Sequence, residues 1–198
     1  MSASRRFLTA ALVCLAVSAL SVLAAAQSAA AQSASAQSDD ALAEQVLGPQ
    51  WQQLSRRAGM VFAGTVLRAA PQTPQTDRAP STVELSLRVD RAIAGVQAGQ
   101  ILTIHEWMGA WSRHRPMRPG DHLLLFLYPP SRLGLTSPVG GSLGVVILDA
   151  GGEYVSRNEL LRRDEMVLRP ASSVAVSREM QSVSIVQLER AIRSAREE

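Results

Sequence analysis

The stretch Met117-Arg118-Pro119-Gly120-Asp121-His122-Leu123-Leu124-Leu125-Phe126-Leu127-Tyr128-Pro129-Pro130 decides the fold. A Pro-Gly-Asp turn feeds a mostly apolar run, Leu123 to Tyr128, which a Pro-Pro pair then stops. A run this short between breakers does not suit a free-standing helix, and without polar alternation it has no solvent-facing side. It reads as a strand buried on both faces, the centre of a small barrel or sandwich around which the rest of the chain wraps.

Strand patterns lie on both sides of it. Gly59 to Leu67 is apolar and β-branched, with Gly64 as a bulge or a close backbone approach. Residues 70–81 contain Pro71, Pro74 and Pro80 and cannot support a ladder, so they form a loop. Val83, Leu85, Leu87 and Val89 then alternate with Glu84, Ser86, Arg88 and Asp90, so one face is core and the other is wet. Residues 94–100 turn, Ile101 to Trp107 form a third strand, and the loop from Met108 to Arg118 leads to the central one. Gly134–Pro138 and Leu143–Leu148 supply one or two more strands around Gly140-Gly141, and Glu153 to Ser156 a last short one.

Helices are expected at the two ends of this β region. Asp39 and Asp40 suit the cap of a helix over Ala41–Leu47, and Gly48-Pro49 interrupts it. Trp51, Leu54 and Ala58 continue an apolar stripe suited to core packing, giving a helical lead-in over 41–57. At the other end, Ser184 and Gln187 form a capping box, with Val183 and Leu188 placed for a hydrophobic staple. Ile185, Leu188, Ala191, Ile192 and Ala195 line one face of an amphipathic helix over 182–198, and Glu189 precedes Arg193 by four residues. Residues 157–181 are charged and irregular.

The first residues read as a leader. Arg5-Arg6 is a basic n-region before the apolar run Phe7–Leu23, and Ala-x-Ala sites follow at Ala26, Ala31 and Ala36. A signal peptide over 1–26, cleaved as late as 36, and an unstructured Ala/Gln/Ser linker over 27–40 are therefore expected. The expected product is periplasmic or extracellular, with no stable membrane insertion. The single cysteine, Cys14, leaves with the leader, so thiol and disulfide chemistry are excluded from the mature domain. All 20 basic residues are arginine; two belong to the leader, leaving 18 against 17 acidic residues, a charge near +1. Such a balance carries no argument for nucleic acid or an anionic membrane.

Five or six strands with glycine turns, a helical lead-in (41–57) and a terminal helix give a mainly β chain. The expected architecture is a small closed or nearly closed OB-like barrel over 58–156, with a β-sandwich as the alternative. The order Ala58-Gly59-Met60-Val61-Phe62-Ala63-Gly64-Thr65-Val66, Leu87-Arg88-Val89-Asp90-Arg91-Ala92-Ile93-Ala94-Gly95 and Arg118-Pro119-Gly120-Asp121-His122-Leu123-Leu124-Leu125-Phe126-Leu127 resembles a group of uncharacterised exported bacterial proteins. These look like the OB barrel of the tissue-inhibitor-of-metalloproteinases and netrin-like modules. The resemblance implies a fold rather than an activity. Those inhibitors grip zinc with an N-terminal cysteine, and the mature domain has none.

Three constellations bear on chemistry. Gly140-Gly141-Ser142-Leu143-Gly144 spells a nucleophile elbow, but a strand pattern follows Ser142 and all three histidines precede it, against the hydrolase order. His105, His114 and His122 with Glu106 are the metal-capable set, although their spacing fits no helical His-Glu-x-x-His motif. His105 and His122 become neighbours only if the 108–118 loop joins adjacent strands. Finally, Trp107, Trp111, Arg113, His114, Arg115 and Arg118 crowd twelve residues. Tryptophan and arginine cover large areas and stack, so this loop is the candidate binding site. The sequence therefore points to an exported, non-enzymatic, monomeric binding module for a protein or glycan, needing no cofactor. A metal-binding protein or metal-dependent enzyme using the three histidines is one alternative; an inhibitor of a co-exported protease is the other.

Overall fold

The computed structural model describes residues 37–74, 80–112, 115–156 and 183–197. The expected leader and the whole of the irregular segment 157–181 lie outside these. The elements are α1 (residues 37–47), α2 (Trp51–Arg57), β1 (Met60–Gln72), β2 (Thr82–Ala94), β3 (Ile101–Trp107), α3 (Met108–Trp111), β4 (His122–Leu127), β5 (Val145–Ile147) and α4 (Ile185–Glu197). Residues 37–40 are already helical, so Asp39 and Asp40 sit within a helix rather than capping one, and the expected linker ends sooner.

The chain is mainly β. Five antiparallel strands form one sheet in the order β3-β2-β1-β4-β5. β4 behaves as its uninterrupted apolar run requires. Leu123, Leu125 and Leu127 enter one core, and Leu124 and Phe126 enter another on the opposite face. Each is fully buried and contributes about 1.5–3 kcal/mol relative to exposure. The first core joins Val83, Leu85, Leu87 and Val89 of β2 to Phe62, Val66 and Ile104, which fulfils the period-two pattern. The second packs α1, α2 and α4 against Val61, Ala63, Leu124, Phe126 and Val146.

β1 divides the outward face of the sheet. Residues 60–66 are buried, whereas 67–72 are half-buried or exposed. The change follows Gly64, beside a register shift, where a Cβ would lie 2.5 Å from the Arg88 carbonyl oxygen. Glycine is needed there because another backbone comes too close for any side chain. Among the described residues the helices cover the first half of β1 and leave the second half bare.

The terminal helix is held as its sequence predicts. Gln187 Oε1 accepts from the Ser184 N–H at 3.2 Å, and Ser184 Oγ accepts from Val186 N–H at 3.2 Å. Glu189 bridges Arg193 at 2.8 Å and Arg91 at 3.0 Å. Arg196 donates to the carbonyls of Ser55 and, at 2.8 Å, Ala58, while Arg56 Nε returns to Ala195 O at 2.8 Å. Guanidinium groups at the carbonyl ends of α2 and α4 satisfy acceptors that a helix terminus leaves open.

The expected closed barrel is corrected: the sheet is not closed. Beyond β4 the chain turns through Pro129-Pro130. It then meets β3 at one parallel bridge, His105 with Leu135, and β4 at one antiparallel bridge, Leu127 with Pro138. Thr136 N–H donates to His105 O at 2.9 Å and Tyr128 N–H to Ser137 O at 3.0 Å. Val139 N–H also donates to Phe126 O at 2.8 Å, so the segment is pinned to β4 on both sides of Pro138 but extends into no strand.

Candidate functional site

Trp107 is the last residue of β3, opposite Thr82 of β2, and it is 49% exposed. Its six-membered ring lies on Gly109, where a Cβ would sit 2.5–2.7 Å from Cη2, Cζ2 and Cζ3. Only glycine lets the indole lie down there. The single turn of α3 follows, anchored by Met108 N–H donating to Ser81 O at 2.9 Å. That turn sends Trp111 inward, and it packs with Met108 against the core beneath β2. The two tryptophans are thus separated: one is a surface platform, the other a half-buried prop against the core.

The rest of the loop is nailed to β1. Gly120 N–H donates to Val66 O at 2.8 Å and Val66 N–H to Asp121 O at 2.9 Å. Asp121 Oδ2 accepts from the Arg118 N–H at 2.9 Å, and Asp121 Oδ1 lies 3.6 Å from Arg115 Nη2. Met117 is buried, whereas Arg115 and Arg118 are exposed. Arg113 and His114 lie outside the described residues.

His105 and His122 do not converge. β3 and β4 are separated by β2 and β1 in the sheet, so His105 and His122 are not cross-strand neighbours. Glu106 pairs with Val83 on the core-facing side, fully buried, while His105 points outward. Among the described residues no group of three or more His, Cys, Asp or Glu could hold a metal ion.

His122 instead joins a polar cluster absent from the sequence reading. Thr65 Oγ1 donates to Asp90 Oδ2 at 2.6 Å and accepts from Arg88 Nη2 at 3.3 Å; it lies 3.1 Å from His122 Nδ1. A hydroxyl has one proton, and Asp90 takes it, so Nδ1 of His122 must be the donor in its contact. The neighbouring turn is built on Asp149, whose carboxyl is held below the ordinary aspartate value. The Tyr154 amide is the main cause, opposed by desolvation and aided by the Glu153 amide. Sequence spacing held no sign of the cluster, since only register sets Thr65 opposite both Arg88 and His122.

The bare half of the outward face completes the site. Along β3 the outer row is Ile101, Thr103, His105 and Trp107; opposite them on β2 stand Arg88, Ser86, Glu84 and Thr82. Arg68 of β1 reaches Glu84 at 3.3 Å. Trp107 ends this row and also begins the arginine loop, so the two surfaces are continuous. Comparison with protein-family models, characterised proteins and solved structures yields no match.

Proposed function

We propose that the chain is an exported, non-enzymatic binding module that holds a protein or glycan through Trp107, Arg115 and Arg118. The observation that carries this is the Trp107 indole, fixed on Gly109 and half-exposed at the end of a rigid strand. A large aromatic held in one orientation loses little entropy on contact, which is the economy a recognition surface needs. Arg115 and Arg118 add donors beside it, on a turn anchored to β1. Trp111 supports this surface from within.

An OB-like, partly open barrel is the architecture we infer for the module. The antiparallel β3-β2-β1-β4 order and the short helix between β3 and β4 support it. So does the seam at residues 135–138, which stands where a closing strand would run. Export rests on the leader pattern alone, and a protease-inhibitor role on the fold resemblance alone.

The test is capture of partners from a periplasmic or culture-medium extract, and from an array of glycans, by immobilised protein. Trp107→Ala and Arg115→Ala are expected to abolish capture while the melting temperature stays nearly unchanged. Capture that survives both substitutions refutes the assignment.

A further inference from the structure

We infer, building on that binding role, that the bare face takes a neutral oligosaccharide of β-1,4-linked, gluco-configured pyranose rings. The chain would lie along the outer row of β3 with one ring stacked on Trp107. From Ile101 to Trp107 this row runs about 20 Å, long enough for a short oligosaccharide. Protein interfaces place apolar groups at the centre and polar groups at the rim. Here the order is reversed: Thr103, His105, Ser86 and Glu84 occupy the middle, and Trp107 and Ile101 the ends. A floor of hydroxyl, imidazole and carboxylate groups between apolar ends suits a ligand dense in hydroxyls.

Charge narrows the ligand further. Glu84 is matched by Arg68, and Arg88 by Asp90 at 2.7 Å, so neither a polyanion nor a polycation finds unmatched charge in these pairs. Ring geometry narrows it again. One face of the Trp107 six-membered ring is covered by Gly109, which leaves a flat platform. Pyranoses with all-equatorial substituents carry flat C–H faces that stack on such a ring, and β-1,4 linkage keeps the chain extended enough to follow a strand. An α-1,4 chain curls away.

The experiment is a titration of the full-length protein with chitohexaose, cellohexaose and maltohexaose, followed by amide NMR and tryptophan fluorescence. Chitohexaose or cellohexaose is expected to shift the amides of 82–88 and 101–107 and to change the indole emission. Trp107→Ala is expected to weaken binding about tenfold, through loss of a stacking contact. Thr103→Arg, at the exposed centre of the row, is expected to remove binding with an unchanged melting temperature. The inference is overturned if neither β-1,4 probe moves these amides at millimolar concentration, if maltohexaose binds equally well, or if Thr103→Arg binds like wild type. Failure of the sugars beside protein capture lost in Trp107→Ala would sink the glycan inference alone. Failure of the sugars with capture unaffected by Trp107→Ala would sink the binding role as well.

Discussion

Replacing Gly64 with alanine tests the pivot of the sheet. Its backbone is not in the left-handed region, so the whole cost is one of space. A Cβ would meet the Arg88 carbonyl oxygen at 2.5 Å and the Phe62 ring at 3.2 Å. The carbonyl belongs to β2, and β1 is also laddered to β4, so relieving the clash strains pairing on both sides. Overpacking of this kind costs about 1–3 kcal/mol, and removing a strand glycine returns roughly 0.5–1 kcal/mol. A net loss of about 1–2 kcal/mol follows, a fall of roughly 3–6 °C in melting temperature for a chain of this size. Urea unfolding monitored by circular dichroism measures it. Gly99 is the control, at φ +81° with open space around it, where the penalty is purely conformational. Asparagine, which tolerates that conformation, should therefore be nearly neutral at 99 and worse than alanine at 64. A Gly64→Ala protein as stable as the parent, or Gly64→Asn no worse than Gly99→Asn, would refute the close-approach account.

Three further outcomes are expected. Trp111→Ala should lower stability by about 2 kcal/mol, below the 3–5 kcal/mol of a fully buried aromatic, whereas Trp107→Ala should cost under about 1 kcal/mol; paired urea curves decide. Arg196→Ala should cost about 2 kcal/mol by stranding two carbonyls at the end of α2, with Arg196→Lys recovering part of it in the same assay. Asp149 has a lowered folded value, so the stability it contributes is present above the ordinary aspartate range and lost as pH falls through the folded value. The stability of Asp149→Asn should therefore fall less steeply than the parent's below about pH 4, as acid titration of unfolding would show.

Much of this was readable in one dimension because it depended on period and punctuation. The alternation of Val83 to Val89, the doubly buried run of β4 and the stripe of α4 are local patterns, and each folds as its pattern dictates. What was not readable required knowing which strands touch. The pairing of His105 with His122 hinged on strand order, and two intervening strands separate them. Trp107 and Trp111 look alike in the sequence, yet one helical turn over Gly109 sends them in opposite directions. Glu106 alternates like a core residue, but the burial of a carboxylate is settled by what covers the end of the sheet. Closure failed to follow from the strand count because residues 135–138 meet β3 and β4 at one bridge each instead of forming a strand.

The arrangement of α4 has a bearing on biosynthesis. Five of its side chains complete a core whose other contributors begin at Ala43, nearly the whole length of the domain earlier. That half of the interior is incomplete until residues 185–197 have left the ribosome. Until then Trp51, Leu54 and the rest of that core lack the apolar face of α4, a surface that a chaperone can hold. An assembly order that defers locking to α4 leaves that core loose until the helix has been made.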